Sequence, residues 1–323
     1  MTLTTLPFHD VQTGDLPGLA AQVGDTPLLT LSRLSLRLGL PPFIRVFAKA
    51  EWFNPGGSVK DRPAREILRH ALASGQLTPG KRLLDSTSGN MGIAYATLGA
   101  SLGIPVTLAM PANASPERIR ILRALGVDLV LTDSLEGSDG AMQVARRMAA
   151  EQPNLYWYAN QYDNPDNWGA HYRTTGPETW AQTDGQVTHF IAGLGTSGTL
   201  TGVGRYLRAM NPAVQIIAVQ PDAPFHGLEG LKHMASSHRP GIYDPAFPDR
   251  MIEVSTEEAR EMVRLLAHEE GLFVGISSGA AAVAVFRIAK ELALNGCQSA
   301  LLATIFPDAG YKYLSDTALW EGL

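Results

Sequence analysis

Lys60 stands in the run Asn54-Pro-Gly-Gly-Ser-Val-Lys-Asp-Arg62, directly after a turn sequence and directly before a helix-like segment. A lysine held in a cleft at such a junction loses hydration, its pKa falls, and its neutral amine can form a Schiff base. Most lysines are instead solvated surface residues; the Pro55-Gly-Gly57 turn, which lets backbone approach closely, argues for the cleft here. Two further loops, Ser86-Thr-Ser-Gly-Asn90 and Gly193-Leu-Gly-Thr-Ser-Gly-Thr199, each fall where a strand-like run gives way to a helix-like one. That is where ligands bind in open α/β sheets.

Gly195-Thr-Ser-Gly-Thr199 aims free backbone N–H groups and several hydroxyls at one spot, the composition of a phosphate cradle. The spacing Gly193-x-Gly195-x-x-Gly198 also meets the dinucleotide fingerprint, with Asp222 near the place of a ribose-binding acid; alone, the motif decides for neither. Ser86–Asn90 has two readings as well: an ordinary helix-capping turn, or a clamp for the α-carboxylate of an amino acid. Gly275-Ile-Ser-Ser-Gly279 forms a third turn-to-helix entrance, and Pro307-Asp308-Ala-Gly310 follows the last strand-like run. The eight histidines show no metal-like spacing, and His226, His233 and His238 read as loop residues.

The elements that must hold these loops alternate from residue 44 onward. Strand-like runs at 44–48, 82–85, 106–110 and 128–132 are separated by helical patterns after Arg62, after Asn90 and over 116–125, and a fourth helix covers 138–151. Such alternation implies βαβ units and parallel sheets. Ser115-Pro116-Glu117 and Asp61-Arg62-Pro63 supply helix-start signals. Residues 153–177, rich in Asn, Asp, Pro and Tyr, read as a crossover to a second series: strands at 189–192, 215–219, 251–254 and 300–303, with helices over 199–210 and from Thr256 and Gly279.

At 323 residues the chain exceeds a single core, so two domains around a cleft are expected. With 45% hydrophobic and 18% charged residues and a net charge of -5, it gives no electrostatic reason to expect nucleic acid or an anionic membrane as partner. One cysteine, Cys297, excludes an internal disulfide and a cysteine-based zinc cluster, and reads as a packed thiol. The start Met1-Thr-Leu-Thr-Thr-Leu-Pro-Phe lacks the pattern of a signal peptide, so a cytoplasmic protein is expected. The uncharged stretch 86–116 is broken by Gly89, Asn90, Gly103 and Pro105, which argues for a loop, a buried helix and a buried strand, not a membrane span.

Taken in order, the motifs Gly24-Asp-Thr-Pro-Leu28, Asn54–Arg62, Thr87–Asn90, Asn160-Gln161, Gly195–Thr199, Gly275–Gly279 and Pro307-Asp-Ala-Gly-Tyr-Lys-Tyr-Leu-Ser315 cover nearly the whole chain. They make it resemble the cysteine synthases, the β-replacement branch of the fold type II pyridoxal-phosphate enzymes. The resemblance implies an α/β fold of two domains, each a mainly parallel twisted sheet flanked by helices, with pyridoxal 5'-phosphate in the cleft between them. Residues 52–163 would form the smaller domain with the substrate-carboxylate loop, and 1–51 plus 164–323 the larger domain with the phosphate loop.

It further implies Lys60 as the Schiff-base lysine that also moves the α-proton, and Asn90 as partner of the cofactor's ring hydroxyl. Gly195, Thr196, Ser197, Gly198 and Thr199 would hold its phosphate, and Ser277 would face the pyridine nitrogen. A neutral hydroxyl there leaves a shallower electron sink than a carboxylate would, which suits β-elimination followed by addition of sulfide. Thr87, Ser88, Asn90, Met91 and Gln161 would line the substrate carboxylate. Two departures bear on the donor. Met91 replaces the family's usual Thr, and the stretch 220–233 offers Asp222, His226 and Lys232 where relatives that use O-phosphoserine carry an arginine. Met91 removes a hydroxyl expected near the carboxylate of O-acetylserine, whereas the missing arginine argues against O-phosphoserine; on the second departure O-acetylserine is preferred, with O-phosphoserine as the alternative.

The resemblance also implies a homodimer, to whose interface the aromatic residues between Tyr156 and Trp180 are candidates, and a possible serine acetyltransferase partner. The chain ends soon after the core, so the regulatory domain of many cystathionine β-synthases is not expected. Rival activities on the same cofactor are cystathionine or cyanoalanine synthesis and serine or threonine dehydration. From other classes come a nicotinamide-dependent dehydrogenase, which would leave Lys60, Asn90 and Ser277 without a role, and a non-catalytic regulator on the same fold.

Overall fold

The computed structural model describes residues 15–87 and 89–320. Along the chain run β1 (Leu28–Thr30), α1 (Ser32–Arg37), β2 (Ile44–Ala50), α2 (Asp61–Ala73), β3 (Arg82–Ser86), α3 (Asn90–Leu102), β4 (Val106–Pro111), α4 (Pro116–Ala124), β5 (Asp128–Thr132) and α5 (Gly137–Glu151). There follow β6 (Tyr156–Tyr158), α6 (Asp166–Arg173), α7 (Thr175–Gln182), β7 (His189–Gly193), α8 (Gly198–Met210), β8 (Gln215–Pro221), β9 (Arg250–Val254), α9 (Thr256–Leu265), α10 (Ile276–Leu294) and β10 (Ala300–Phe306). All eight strands expected from the sequence are present. The supposed crossover at 153–177 instead contains β6, α6 and the start of α7.

The chain divides into two compact units. The smaller comprises 15–23 and Asn54–Asn167. Residues 15–23 thus group with it, whereas the expected boundary placed them in the larger domain, because Leu16, Ala20 and Val23 lie in its apolar core. Its four strands are all parallel, in the order β5-β4-β3-β6. β4 is buried along its whole length, as an interior parallel strand covered on both faces must be. α2 packs beside α3 and buries Ala64, Ile67, Leu68 and Ala71, the i, i+3, i+4, i+7 stripe of an amphipathic helix.

The larger unit comprises Gly24–Phe53 and 168–320. Its six strands run in the order β1-β2-β10-β7-β8-β9, with only β1 antiparallel. α10 is buried almost all round from Ile276 to Ala289, so it is a core helix in which small residues replace an amphipathic pattern. α9 starts with a capping box between Ser255 and Glu258, which satisfies two of its free N–H groups. Among the described residues no helix is long and apolar enough to cross a membrane, and no cluster of three or more His, Cys, Asp or Glu could hold a metal.

Candidate active site

In the smaller sheet the chain travels outward through β3, β4 and β5 and then returns to the other side of β3 as β6. The chain runs from β3 to one side and comes back to the other side as β6, so the carboxyl ends of β3 and β6 flank a switch point of the kind at which crevices form in open α/β sheets. Ser86–Asn90 leaves β3 there and Gln161 follows β6. The sequence placed these two segments 75 positions apart; the topology makes them neighbours, and the Gln161 Nε2 donates to the Ser86 carbonyl at 2.8 Å.

Thr87 is buried, and its Oγ1 accepts from the Gly89 and Gly92 amides at 3.1 and 3.2 Å. It therefore acts as the capping residue that shapes the start of α3, and its hydroxyl proton is left to donate elsewhere. Asn90 and Met91 open α3, whose first-turn N–H groups have no intrahelical acceptor. The Met91 side chain belongs to the apolar core, so this position offers a ligand only its backbone. Ser88 lies outside the described residues. A Cβ at Gly89 would stand 2.9 Å from the Arg118 guanidinium, which is itself buried. Arg118 thus backs the loop from α4, a role that nothing in its helical spacing signals.

Lys60 is the residue before α2 and serves as its N-cap position. The helix begins at Asp61, ahead of the expected start after Arg62, because Asp61 turns its carboxylate back onto the Gly56 amide at 2.5 Å and pins the Pro-Gly-Gly turn. A Cβ at Gly56 would lie 2.6 Å from that carboxylate, and Gly57 takes φ 75°, so both glycines are required by the turn. Burial lowers the Lys60 ammonium from 10.5 to about 8. Its Nζ has no hydrogen-bond or ion partner among the described residues. The larger unit's Lys49 shows the contrast: it is fully buried, and Glu178, the Thr26 carbonyl and Gln182 hold its Nζ at 2.7, 2.8 and 2.9 Å. Lys49 is a satisfied structural charge, whereas Lys60 is a half-buried amine without such partners.

The larger sheet has its own switch point between β7 and β10, since β8 and β9 continue to one side of β7 while β10 pairs on the other. Gly193–Thr199 leaves β7 there. Ser197 takes φ 71°, unusual for a residue with a Cβ, and its Oγ is buried without a hydrogen-bond partner. Thr196 accepts from the Gly198 amide at 3.4 Å, and the next first-turn amides of α8 lack an intrahelical acceptor. Thr199 Oγ1 lies 3.3 Å from Nε2 of the fully buried His171, whose other nitrogen meets Thr175 at 2.9 Å. A Cβ at Gly195 would stand 2.5 Å from the Gly230 carbonyl, and the Lys232 amide donates to Leu194 at 2.7 Å, so the segment around 230 backs this loop.

Ser277 is the second residue of α10 and is nearly buried; nothing among the described residues bonds its hydroxyl. The late motif Pro307–Gly310 follows β10 and braces the entrance to α10: the Gly275 amide donates to the Asp308 carbonyl at 3.0 Å, and the Tyr313 hydroxyl donates to the Asp308 carboxylate at 2.9 Å. A side chain at Gly275 would collide with that carboxylate.

The chemistry of these groups fits a phosphorylated aldehyde. Within the larger unit the buried, unpartnered Ser197 hydroxyl and the start of α8 suit an anion, and Ser277 offers an unbonded neutral hydroxyl; within the smaller unit, taken by itself, Lys60 offers an amine that an aldehyde can take. Residues 19–303 match the family model described as "Pyridoxal-phosphate dependent enzyme". The chain is 52% identical over 299 residues to a "Cysteine synthase" of Aquifex aeolicus, covering 93% of this chain and 90% of that one. It is 40% identical to "Cysteine synthase B" of Pseudomonas aeruginosa over 93% of this chain and 96% of the relative. The solved structure of a cysteine synthase (OASS) from Entamoeba histolytica superposes with a TM-score of 0.88 at 35% identity, over 96% of this chain and 92% of that one.

Proposed function

We propose, from the premise that this chain belongs to the pyridoxal-phosphate dependent enzyme family, that it is a cysteine synthase: it replaces the β-substituent of an activated L-serine with sulfide to give L-cysteine. The observation that carries the activity is the 52% identity with the A. aeolicus cysteine synthase over nearly the whole chain. The chain's own residues supply the roles.

Bound pyridoxal phosphate supplies an electron sink for negative charge at the α-carbon of an amino acid. Gly195 to Thr199 would hold its phosphate, Asn90 its ring hydroxyl and Ser277 its ring nitrogen. With its pKa drawn to about 8, roughly a tenth of Lys60 is neutral at pH 7, against well under a thousandth for an unperturbed lysine. That neutral fraction is what binds an aldehyde. The same Nζ takes the α-proton of the donor and returns it at the end. Thr87, Asn90, Gln161 and the first N–H groups of α3 hold the donor carboxylate, so that its Cα is presented in one orientation.

O-acetylserine is favoured as donor over O-phosphoserine. The connection between β8 and β9 carries Asp222, and burial with the neighbouring His233 pushes His226 downward, so His226 brings little positive charge to a phosphate at neutral pH. We further propose a homodimer in the cytoplasm, with a serine acetyltransferase as a candidate partner; the free thiol of Cys297 is compatible with a reducing compartment. The nicotinamide alternative is set aside, since the chain belongs to the pyridoxal-phosphate dependent enzymes.

Visible absorption spectra of the purified protein test the reading. The expected result is a yellow protein whose band shifts on adding O-acetylserine more rapidly than on adding O-phosphoserine, and returns on adding sulfide as cysteine is released. A protein that stays colourless after incubation with pyridoxal phosphate, or that forms no cysteine from either donor, overturns it.

A further inference from the structure

The carboxylate of Asp85, at the end of β3, is fully buried and lies just outside the machinery described so far. Its Oδ1 accepts from the Ser86 amide at 2.8 Å and its Oδ2 from the Gln161 amide at 3.3 Å. Gln161 in turn donates its side-chain amide to the Ser86 carbonyl at 2.8 Å, closing a ring of three hydrogen bonds across the switch point. The Gln161 carbonyl is tied from its far side by Asn167 at 2.8 Å. The Asp85 and Gln161 side chains therefore together fasten the two segments that carry Thr87 and Asn90 on one strand end and Gln161 on the other, and Asp85 alone reaches both segments through its two oxygens.

We infer that Asp85 is a positioning residue for donor binding, its ionised carboxylate locking the Gln161 segment to the Ser86–Asn90 loop so that the two present one preformed carboxylate site. The inference rests on the reading of Thr87, Asn90 and Gln161 as the donor's carboxylate partners.

The surroundings make this lock sensitive to pH. The groups facing Asp85 are Tyr95 on α3, whose hydroxyl lies against the carboxylate outside hydrogen-bond geometry, Tyr158 on β6 and Tyr162 beyond it. From α5, Arg146 pairs with Asp163 at 3.0 Å and Asp139 adds negative charge nearby. β4 contributes no titratable side chain. No cation is spent on Asp85, so burial dominates over its backbone hydrogen bonds and pushes its pKa up to about 7. Above that pH both oxygens accept. Below it one oxygen carries a proton and can no longer serve its amide, and the longer bond, to Gln161, is the one released.

The test compares Asp85→Asn with wild-type holoenzyme. Loss of one hydrogen bond to a charged acceptor predicts an O-acetylserine KM raised about tenfold at pH 8, with kcat at saturation within about twofold. At about pH 6, where the wild-type carboxyl is itself neutral, the ratio of variant to wild-type KM falls towards one. In NMR spectra the Gln161 amide of the wild type titrates near pH 7, and in Asp85→Asn it does not. Gln161→Ala is the companion: it raises donor KM whether or not Asp85 matters. If Gln161→Ala raises KM while Asp85→Asn keeps the wild-type KM and its pH dependence, the inference on Asp85 fails and the site reading stands. If Gln161→Ala leaves KM unchanged, the site reading fails and takes the inference with it. Should Asp85→Asn not fold, a wild-type Gln161 amide that shows no titration between pH 6 and 8 overturns the proposal by itself.

Discussion

Replacing Lys60 by methionine keeps the length of the side chain and removes the charge that burial disfavours. The fall of the ammonium from 10.5 to about 8 corresponds to about 2–3 kcal/mol once the partial exposure of the side chain is discounted. The direction follows from proton counting. Because the folded protein releases its proton earlier than the unfolded chain, this cost is fully present below about pH 8 and fades as pH rises towards 10.5. With the cofactor removed, Lys60→Met is therefore expected to be more stable than wild type by about 2–3 kcal/mol at pH 7, with a gap that narrows markedly by about pH 10. Urea unfolding at a series of pH values, analysed for midpoint and slope, measures it. A variant no more stable than wild type at pH 7, or a gap constant across that range, would show that Lys60 is an ordinary solvated ammonium and would remove the basis for its reactivity.

Two further substitutions probe the loops. Ser197→Gly relieves a left-handed serine and a buried, unpartnered hydroxyl; the cofactor-free protein should gain about 1 kcal/mol while pyridoxal phosphate binds about tenfold more weakly, measured by fluorescence titration. Unchanged cofactor affinity would mean that the hydroxyl has no ligand. Gly89→Ala places a methyl 2.9 Å from the buried Arg118 guanidinium; thermal unfolding should show a loss of about 1–2 kcal/mol, and donor KM should rise more than kcat falls. Wild-type values for both would show that the guanidinium has room to move.

All the strands but β1 and β6 were legible because parallel, doubly covered strands read as short apolar runs, as Ala300–Phe306 does. The segment 153–177 was not, since Pro153, Pro165, Gly169, Gly176 and Pro177 are turn signals. Packing overrides them there: a Cβ at Gly176 would press on Tyr206, and one at Gly202 would meet the Trp168 carbonyl, so small residues let α6 and α7 lie close to α8. The loops carrying Lys60, Thr87 and Gly195–Thr199 were visible through glycine and hydroxyl composition. Asp85 and Arg118 were not, because a lone acid at a strand end and an arginine on a charged helix look the same whether buried or solvated. Met91 shows the reverse: its place in the motif suggested a ligand contact, and its side chain belongs to the core.

The register of β2 against β10 has a consequence for how the chain is made. Ile44 to Ala50 pairs with Ala300 to Phe306 along its whole length, so an interior pairing of the six-stranded sheet joins strands about 250 residues apart in sequence. The four-stranded sheet needs only residues 82–158. On the ribosome the smaller unit can thus close first, while the apolar strand Ile44–Ala50, holding only its short antiparallel neighbour, waits for a partner still to be synthesised. At ordinary elongation rates that interval is on the order of 10 s, far longer than collapse of a small unit. The strand most exposed to aggregation during synthesis is therefore β2, one of the first to be made, and chaperone demand should concentrate on it until β10 emerges.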